Sequence, residues 1–299
     1  KLAVIDENAN YLESAVIYPT EPKKDYENSK NKVLQLAKKY NITGVAIGNG
    51  TGSRETQEFF ARLNSEEKIN LSYTVVSEAG ASVYSASKLA QDEYPQLDVT
   101  IRGAISIAQR LRDPMATLVK IDPKSLGIGQ YQHDVDQKLL EKKLGDVTSD
   151  LVNRVGVDIN SASAALLSHV AGIGAKIAQN IIDFRAENGN FTTKAELLKV
   201  KGLGKKAYEQ AAGFIRIKNA ENDFDNSGIH PESYLAASKL KGEDLTQIDA
   251  KEKASLIGVG VETLKDIIKE LLKPGFDPRE ELPPIPFKEG LTDIKSLQE

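Results

Sequence analysis

Residues 167–184 read LSHVAGIGAKIAQNIIDF, and residues 197–214 read LLKVKGLGKKAYEQAAGF. The second stretch repeats the first at an offset of about 30 residues. The matched residues are Leu167, Val170, Gly172, Ile173, Gly174, Lys176 and Phe184, which recur as Leu197, Val200, Gly202, Leu203, Gly204, Lys206 and Phe214. Each copy has an apolar helix end, a Gly-hydrophobic-Gly turn and a second helix that begins with lysine. This pattern predicts a tandem helix-hairpin-helix.

The predicted turns have the chemistry of a phosphate-binding site. Glycines permit a positive φ and close backbone approach, and a helix start offers unpaired N–H groups to an anion. Lysines beside these N–H groups add positive charge. The predicted nucleic-acid interface therefore comprises Gly172, Ile173, Gly174, Lys176, Gly202, Leu203, Gly204, Lys205 and Lys206, with Ile173 and Leu203 filling the hairpin core. The alternative is that both turns only connect packed helices.

Composition places this basic repeat in an acidic chain. The 299 residues carry a formal net charge of −4, whereas residues 167–218 contain nine Lys or Arg and four Asp or Glu. The chain has no cysteine, which excludes disulfides and thiolate metal sites. No apolar run approaches the roughly 20 residues that span a bilayer. We expect a cytoplasmic monomer without a cofactor or a membrane partner.

Around the repeat, hydrophobic periodicity predicts a mixed α/β region followed by helices. The predicted strands are 2–5, 12–18, 44–48, 71–76 and 98–101, and the predicted helices between them are 29–40, 54–63 and 80–91. Residues 139–217 and 231–272 are predicted to be helical, and the prolines after Lys273 predict an extended linker. The predicted domains are 1–122 (mixed sheet with helices on both faces), 123–219 (tandem helix-hairpin-helix), 220–273 (helical) and 274–299 (linker).

Several longer strings resemble the bacterial Tex family of transcription accessory proteins. They include Val76–Ser85 (VSEAGASVYS), Lys120–Ser125 (KIDPKS) and Gly127–Val135 (GIGQYQHDV). The resemblance implies a resolvase-related RNase-H-like domain, a double helix-hairpin-helix domain, a further helical domain and an RNA-binding OB-fold. It also implies a partner role with the transcription machinery. The family's first RNase-H strand, which bears Asp-Pro-Gly, would precede Lys1, and its OB-fold would follow Glu299. The resemblance thus predicts an incomplete sheet with an exposed or covered edge.

A resolvase-type nuclease is the main enzymatic alternative. Such folds hold two divalent ions with several carboxylates, and Glu78 and Asp113 stand where the second and third acids belong. Asp6 lies at a hairpin turn, one strand too late to be the first acid. Two carboxylates are too few, so we interpret Glu78 and Asp113 as helix-start residues and expect no nuclease activity.

Three further features have structural interpretations. The loop Gly48–Ser53 follows a strand and precedes a helix, as nucleotide-binding loops do, but it lacks the Walker lysine. We therefore expect Thr51 or Ser53 to be a plain N-cap of the helix. Gly258-Val259-Gly260 resembles a third hairpin, although its acidic neighbours Glu262 and Asp266 disfavour phosphate. His133, His169 and His230 lack metal-site spacing, and we interpret them as structural residues. The alternative for His133 is that its polar, aromatic loop is a docking surface. A protein-protein scaffold remains a third class of function.

Overall fold

The computed structural model describes residues 1–6, 9–246 and 248–273, and the predicted linker lies outside the described residues. The chain opens with the predicted β-hairpin. Strand β1 (Leu2–Ile5) pairs antiparallel with β2 (Tyr11–Ala15), which is shorter than the predicted second strand. Val4 and Ala15 are buried beneath the hairpin against Leu36.

Helices and strands then alternate as the periodicity predicted. The elements are α1 (Tyr26–Tyr40), β3 (Gly44–Gly48), α2 (Ser53–Glu67) and β4 (Ser72–Val76). Strands β3 and β4 pair in parallel, and their apolar side chains pack against α1 and α2 around Phe59, Phe60 and Leu63. Parallel pairing requires the crossover that α2 provides.

The single mixed sheet that we predicted is present as two separate pairs. Within the described part of the chain, β1 hydrogen-bonds to β2 and β3 to β4, and no ladder joins β1 to β3. A cavity of about 1110 Å³ lies between the two pairs, and residues of β1, β3 and α1 line it. The predicted fold class, mixed α/β followed by helices, is confirmed.

Two predicted elements of this domain differ in the structure. The predicted helix 80–91 is two short helices, α3 (Ala81–Ala86) and α4 (Lys88–Glu93), because Ser87 is extended and its Oγ caps α4 through Ala90 N–H. The predicted strand 98–101 is wrong. These residues begin helix α5 (Val99–Arg112), which packs against β1, β3 and α3.

Helical structure continues beyond α5. Helix α6 (Pro114–Leu118) packs against the apolar core of the helix-hairpin-helix repeat. Two 3₁₀ turns follow at Pro123–Leu126 and Gln132–Asp134, and helix α7 (Gln137–Val155) leads into the repeat. The loop around His133 is exposed.

The repeat region forms one compact helical unit. Its helices are α8 (Ala164–Leu167), α9 (Ala175–Asn188), a 3₁₀ helix (Lys194–Lys199) and α10 (Lys205–Ala211). A parallel pair of two-residue strands, β5 (Val157–Asp158) and β6 (Ile215–Arg216), joins its two ends. We did not predict this pair, since two residues are too few to show a strand period.

A second helical unit follows the repeat. It contains 3₁₀ turns at Asp223–Asn226 and Pro231–Ser233 and helices α11 (Tyr234–Ser238), α12 (Ala250–Ile257) and α13 (Val261–Leu272). Phe224, Leu240, Leu264 and Ile267 form its own core. In the described residues, no helix is both long enough and apolar enough to cross a membrane.

Candidate nucleic-acid interface

The two predicted turns have the same backbone conformation. Gly172 has a φ of +81° and Gly202 a φ of +83°, in the left-handed region that favours glycine. The Ile173 N–H donates to Val170 O at 3.0 Å, and the Leu203 N–H donates to Val200 O at 3.1 Å. The sequence repeat is therefore a repeat of local structure.

The two helices that follow these turns begin in the same way. Gly174 (φ −80°, ψ 167°) precedes α9, and Gly204 (φ −81°, ψ 172°) precedes α10. Neither glycine can cap its helix with a side chain, and the first N–H groups of a helix have no acceptor within the helix. Both helix starts therefore offer donors to an external anion.

The central residues of the turns lie in the core. Ile173 is 2% exposed and Leu203 is 3% exposed, and both belong to the apolar cluster of the repeat region. Their side chains anchor the turns, as predicted, but they cannot contact a ligand. Any contact that these two residues make with a ligand must therefore come from their backbone.

The four glycines of the turns have different surroundings. A Cβ on Gly172 would lie 2.7 Å from Ala207 O and 2.9 Å from Gln210 Cβ, so this glycine permits contact between the two hairpins. Gly174 and Gly204 would place a Cβ in open space. The Cβ side of Gly172 is therefore covered by α10, and Gly174 and Gly204 are the glycines with open space beside them.

The hairpins pack against each other reciprocally. The first turn meets α10 at Gln210, and the second turn meets α9 at Asn180, the residue 30 positions earlier. Asn180 Nδ2 also donates to Lys201 O at 2.7 Å. Such mutual contacts between equivalent positions define an approximate two-fold arrangement of the two turns.

Exposed lysines surround both helix starts. Lys176 stands on the first turn of α9, and Lys205 and Lys206 begin α10. The Lys205 ammonium lies 3.8 Å from Glu209, and both side chains are exposed, so solvent weakens the pair. Lys201, also exposed, was missed by the sequence reasoning, although its place directly before Gly202 is a signal.

The possible third hairpin has a similar turn, but an acidic residue lies at its helix start, where the first two hairpins have lysines. Gly258 has a φ of +85°, and Gly260 (φ −67°, ψ 149°) precedes α13 without a side-chain cap. Glu262 lies in the first turn of α13 and pairs with Lys265 at 2.7 Å. The acidic helix start disfavours phosphate.

Glu78 and Asp113, the two candidate acids, do not belong to a cluster of metal-ligating residues in the described part of the chain. Glu78 follows β4, and its N–H donates to Asn49 Oδ1 at 3.0 Å, while its carboxylate packs over the glycine loop. Asp113 caps α6 by accepting from Ala116 N–H at 2.9 Å. No group of three or more Asp, Glu or His that could hold a metal occurs among the described residues.

The glycine loop and two histidines have structural roles. Helix α2 is preceded by Gly52, so the predicted caps Thr51 and Ser53 are wrong. His169 Nδ1 lies 3.1 Å from Ser149 Oγ, and burial lowers the pKa of His169. His230 Nε2 lies 2.9 Å from Glu209 O.

Three known sequence families match the chain. The Tex protein YqgF-like domain matches residues 1–112, a helix-hairpin-helix motif family matches residues 152–216, and a second helix-hairpin-helix domain family matches residues 222–279.

Individual relatives match nearly the whole chain. "Protein tex" of Bordetella pertussis is 47% identical over 99% of this chain and 39% of its own length. "Transcriptional accessory protein Tex" of Neisseria gonorrhoeae is 46% identical over 100% of the chain and 41% of its own length. "S1 RNA-binding domain-containing protein 1" of Homo sapiens is 48% identical over 73% of the chain and 22% of its own length. The chain therefore spans about two fifths of its bacterial relatives.

Proposed function

The chain belongs to the Tex family of transcription accessory proteins, and we propose that it binds nucleic acid by gripping phosphates with its tandem hairpins. Binding is independent of base sequence. A cytoplasmic location, a monomeric state and contact with the transcription machinery belong to the same proposal.

One observation carries this proposal: two uncapped helix starts share one backbone geometry and face open space beside exposed lysines. Backbone N–H groups and lysines are the donors that proteins commonly direct at phosphate oxygens. The residues around the turns are mainly glycine, alanine and lysine, which provide no paired donor and acceptor for a base edge. The affinity should therefore come from the negative charge of the nucleic-acid backbone.

The approximate two-fold arrangement of the turns favours a duplex ligand. The strands of a duplex run antiparallel and are themselves related by two-fold axes, so equivalent turns can meet equivalent phosphates on both strands. A single strand has no such symmetry. We expect duplex to bind more tightly than a single strand of the same sequence.

The names of two relatives support the same class of partner. One is called a transcriptional accessory protein and another an S1 RNA-binding domain-containing protein. Each name describes a protein longer than this chain.

Titration of labelled duplex and single-stranded oligonucleotides at several salt concentrations tests the proposal. Lys176→Ala and Lys206→Ala should each lower the slope of log K against log salt by about 0.9, the value for one phosphate contact. The double variant should lose nearly additive affinity, and sequence preference should not change.

Lys265→Ala is the matched control, because Lys265 is an exposed lysine near the start of the acidic third hairpin. It should leave affinity and salt slope unchanged. If the Lys176→Ala, Lys206→Ala double variant bound like the parent, the turns would be packing elements, and a protein-protein scaffold would be the better interpretation.

A further inference from the structure

Lys194 is a buried lysine that takes no part in the proposed phosphate binding. It begins the 3₁₀ helix that leads into the second turn, and it is 1% exposed. Its Nζ donates to Ser227 O at 3.0 Å and to Ile229 O at 3.4 Å. Both carbonyls belong to the helical unit that follows the repeat.

Two side chains of the same unit, Asp225 and Tyr234, also lie beside Lys194. The buried Asp225 accepts from Lys194 N–H through Oδ2 at 3.0 Å and from the Tyr234 hydroxyl through Oδ1 at 2.5 Å. The Lys194 ammonium also lies 5.9 Å from the centre of the Tyr234 ring. We call these four residues, Asp225, Ser227, Ile229 and Tyr234, the lysine cage.

The chemistry of the cage favours a role in positioning over one in stabilisation. Burying an ammonium is costly, and a buried charge is tolerated only where hydrogen bonds compensate it. Burial lowers the pKa of Lys194 to about 7, and the amine donates to the carbonyls in either charge state. An apolar side chain would fill this space at lower cost but would not specify one orientation of the two units.

Other contacts between the two units also reach the second hairpin. Glu221 N–H donates to Thr192 O at 3.2 Å, just before the 3₁₀ helix of this hairpin. His230 lies 2.9 Å from Glu209 O on α10, just after the turn. The following unit therefore holds the second hairpin on both sides of its turn.

We propose that residues 221–273 act as a brace for the second hairpin and that Lys194 is the positioning residue through which the brace acts. The functional part of this inference rests on the proposed phosphate binding. The brace has an acidic hairpin of its own, so it contributes to binding by holding the second turn in place and not by contacting phosphate.

Hydrogen exchange on the full chain tests the brace directly. The amides of Val200, Leu203 and Tyr208 are hydrogen-bonded in the second hairpin, and those of Val170, Ile173 and Ala178 are their equivalents in the first. In Lys194→Met, exchange should accelerate at the second set and stay unchanged at the first. Lys199→Met is the control, because it removes an exposed lysine from the same short helix.

Oligonucleotide binding tests the functional part. Lys194→Met should raise Kd by roughly fivefold or more, the lower end of typical coupling between sites, while the salt slope stays the same because no phosphate contact is lost. Tyr234→Phe removes the hydroxyl from Asp225 and should change exchange and Kd in the same direction, by less. It also decides the question if Lys194→Met does not fold.

Unchanged exchange at the second hairpin in a folded Lys194→Met, or in Tyr234→Phe if Lys194→Met does not fold, would overturn the brace. Equal acceleration in both hairpins would do so as well, since it would indicate general destabilisation. If the parent bound no oligonucleotide, the proposed function would fail, and the exchange measurement would still decide the brace.

Discussion

Two glycines of the first turn have different roles: Gly172 packs against the second hairpin, and Gly174 faces open space at the helix start. Gly172→Ala should destabilise the fold by about 1–3 kcal/mol, because its φ is positive and its Cβ would strike Ala207 O. Gly174→Asp should keep or raise stability by a few tenths of a kcal/mol, because Gly174 has open space and an extended conformation that suits an N-cap. It should nevertheless weaken nucleic-acid binding, since its carboxylate would occupy the phosphate donors.

Thermal unfolding measures the stability of both variants, and oligonucleotide titration measures their affinity. Gly174→Asn caps the helix without adding charge and so separates competition for the N–H groups from electrostatic repulsion. Equal affinity for Gly174→Asp and the parent would show that phosphate does not bind at this helix start.

His169 should make stability depend on pH. Burial lowers the pKa of His169 below its ordinary value of 6.5, so the neutral ring is more favoured in the folded state than in the unfolded state. Below about pH 6.5 the unfolded chain takes up a proton first, and the free energy of unfolding should fall as pH decreases until the folded ring also titrates.

Urea unfolding at pH 7.5 and pH 5.5 measures this effect, with His169→Gln as the comparison. The variant should lose less stability between the two pH values than the parent. The same loss in both proteins would assign the pH dependence to other groups.

At the scale of elements, helix α5 depends on its cap. Asp98 Oδ1 accepts from Thr100 N–H at 2.7 Å and from Ile101 N–H at 3.1 Å, and the helix then packs against both strand pairs. Asp98→Ala should cost about 1 kcal/mol, the typical effect of losing an N-cap. Asp92→Ala, an exposed acid on α4, should cost less than about 0.5 kcal/mol. Chemical denaturation of both variants checks the difference, and equal costs would contradict the capping role.

At the scale of the whole molecule, we expect no metal-dependent nuclease activity. Two-metal hydrolysis needs several converging carboxylates, whereas Glu78 packs over a glycine loop and Asp113 caps a helix. Incubation with four-way junctions and RNA–DNA hybrids in Mg²⁺ or Mn²⁺ should leave the substrates intact. Cleavage that Glu78→Ala abolished would establish a catalytic role for this acid.

Local sequence patterns predicted the parts of this protein that depend on local interactions. The repeat at 30 residues predicted two turns whose φ angles differ by only a few degrees, because glycine at those positions is a local requirement. Amphipathic spacing predicted α1 and α2, and the alternation of apolar runs predicted β3 and β4, with errors of a few residues at their ends. The 98–101 strand failed because Asp98 and Thr100 favour a helix start that outweighs a short β-branched run.

Tertiary structure decided what depends on contacts between distant residues. The reciprocal packing of Gly172 on α10 and of the second turn on Asn180 shows which glycines are free for a ligand, and no single turn contains that information. The cage around Lys194 is another example, since a lysine in a basic stretch of sequence looks like a phosphate ligand until carbonyls some 33 and 35 residues later enclose it. Backbone conformation follows from neighbouring residues, whereas burial and exposure follow from the whole fold, and a candidate interface needs both.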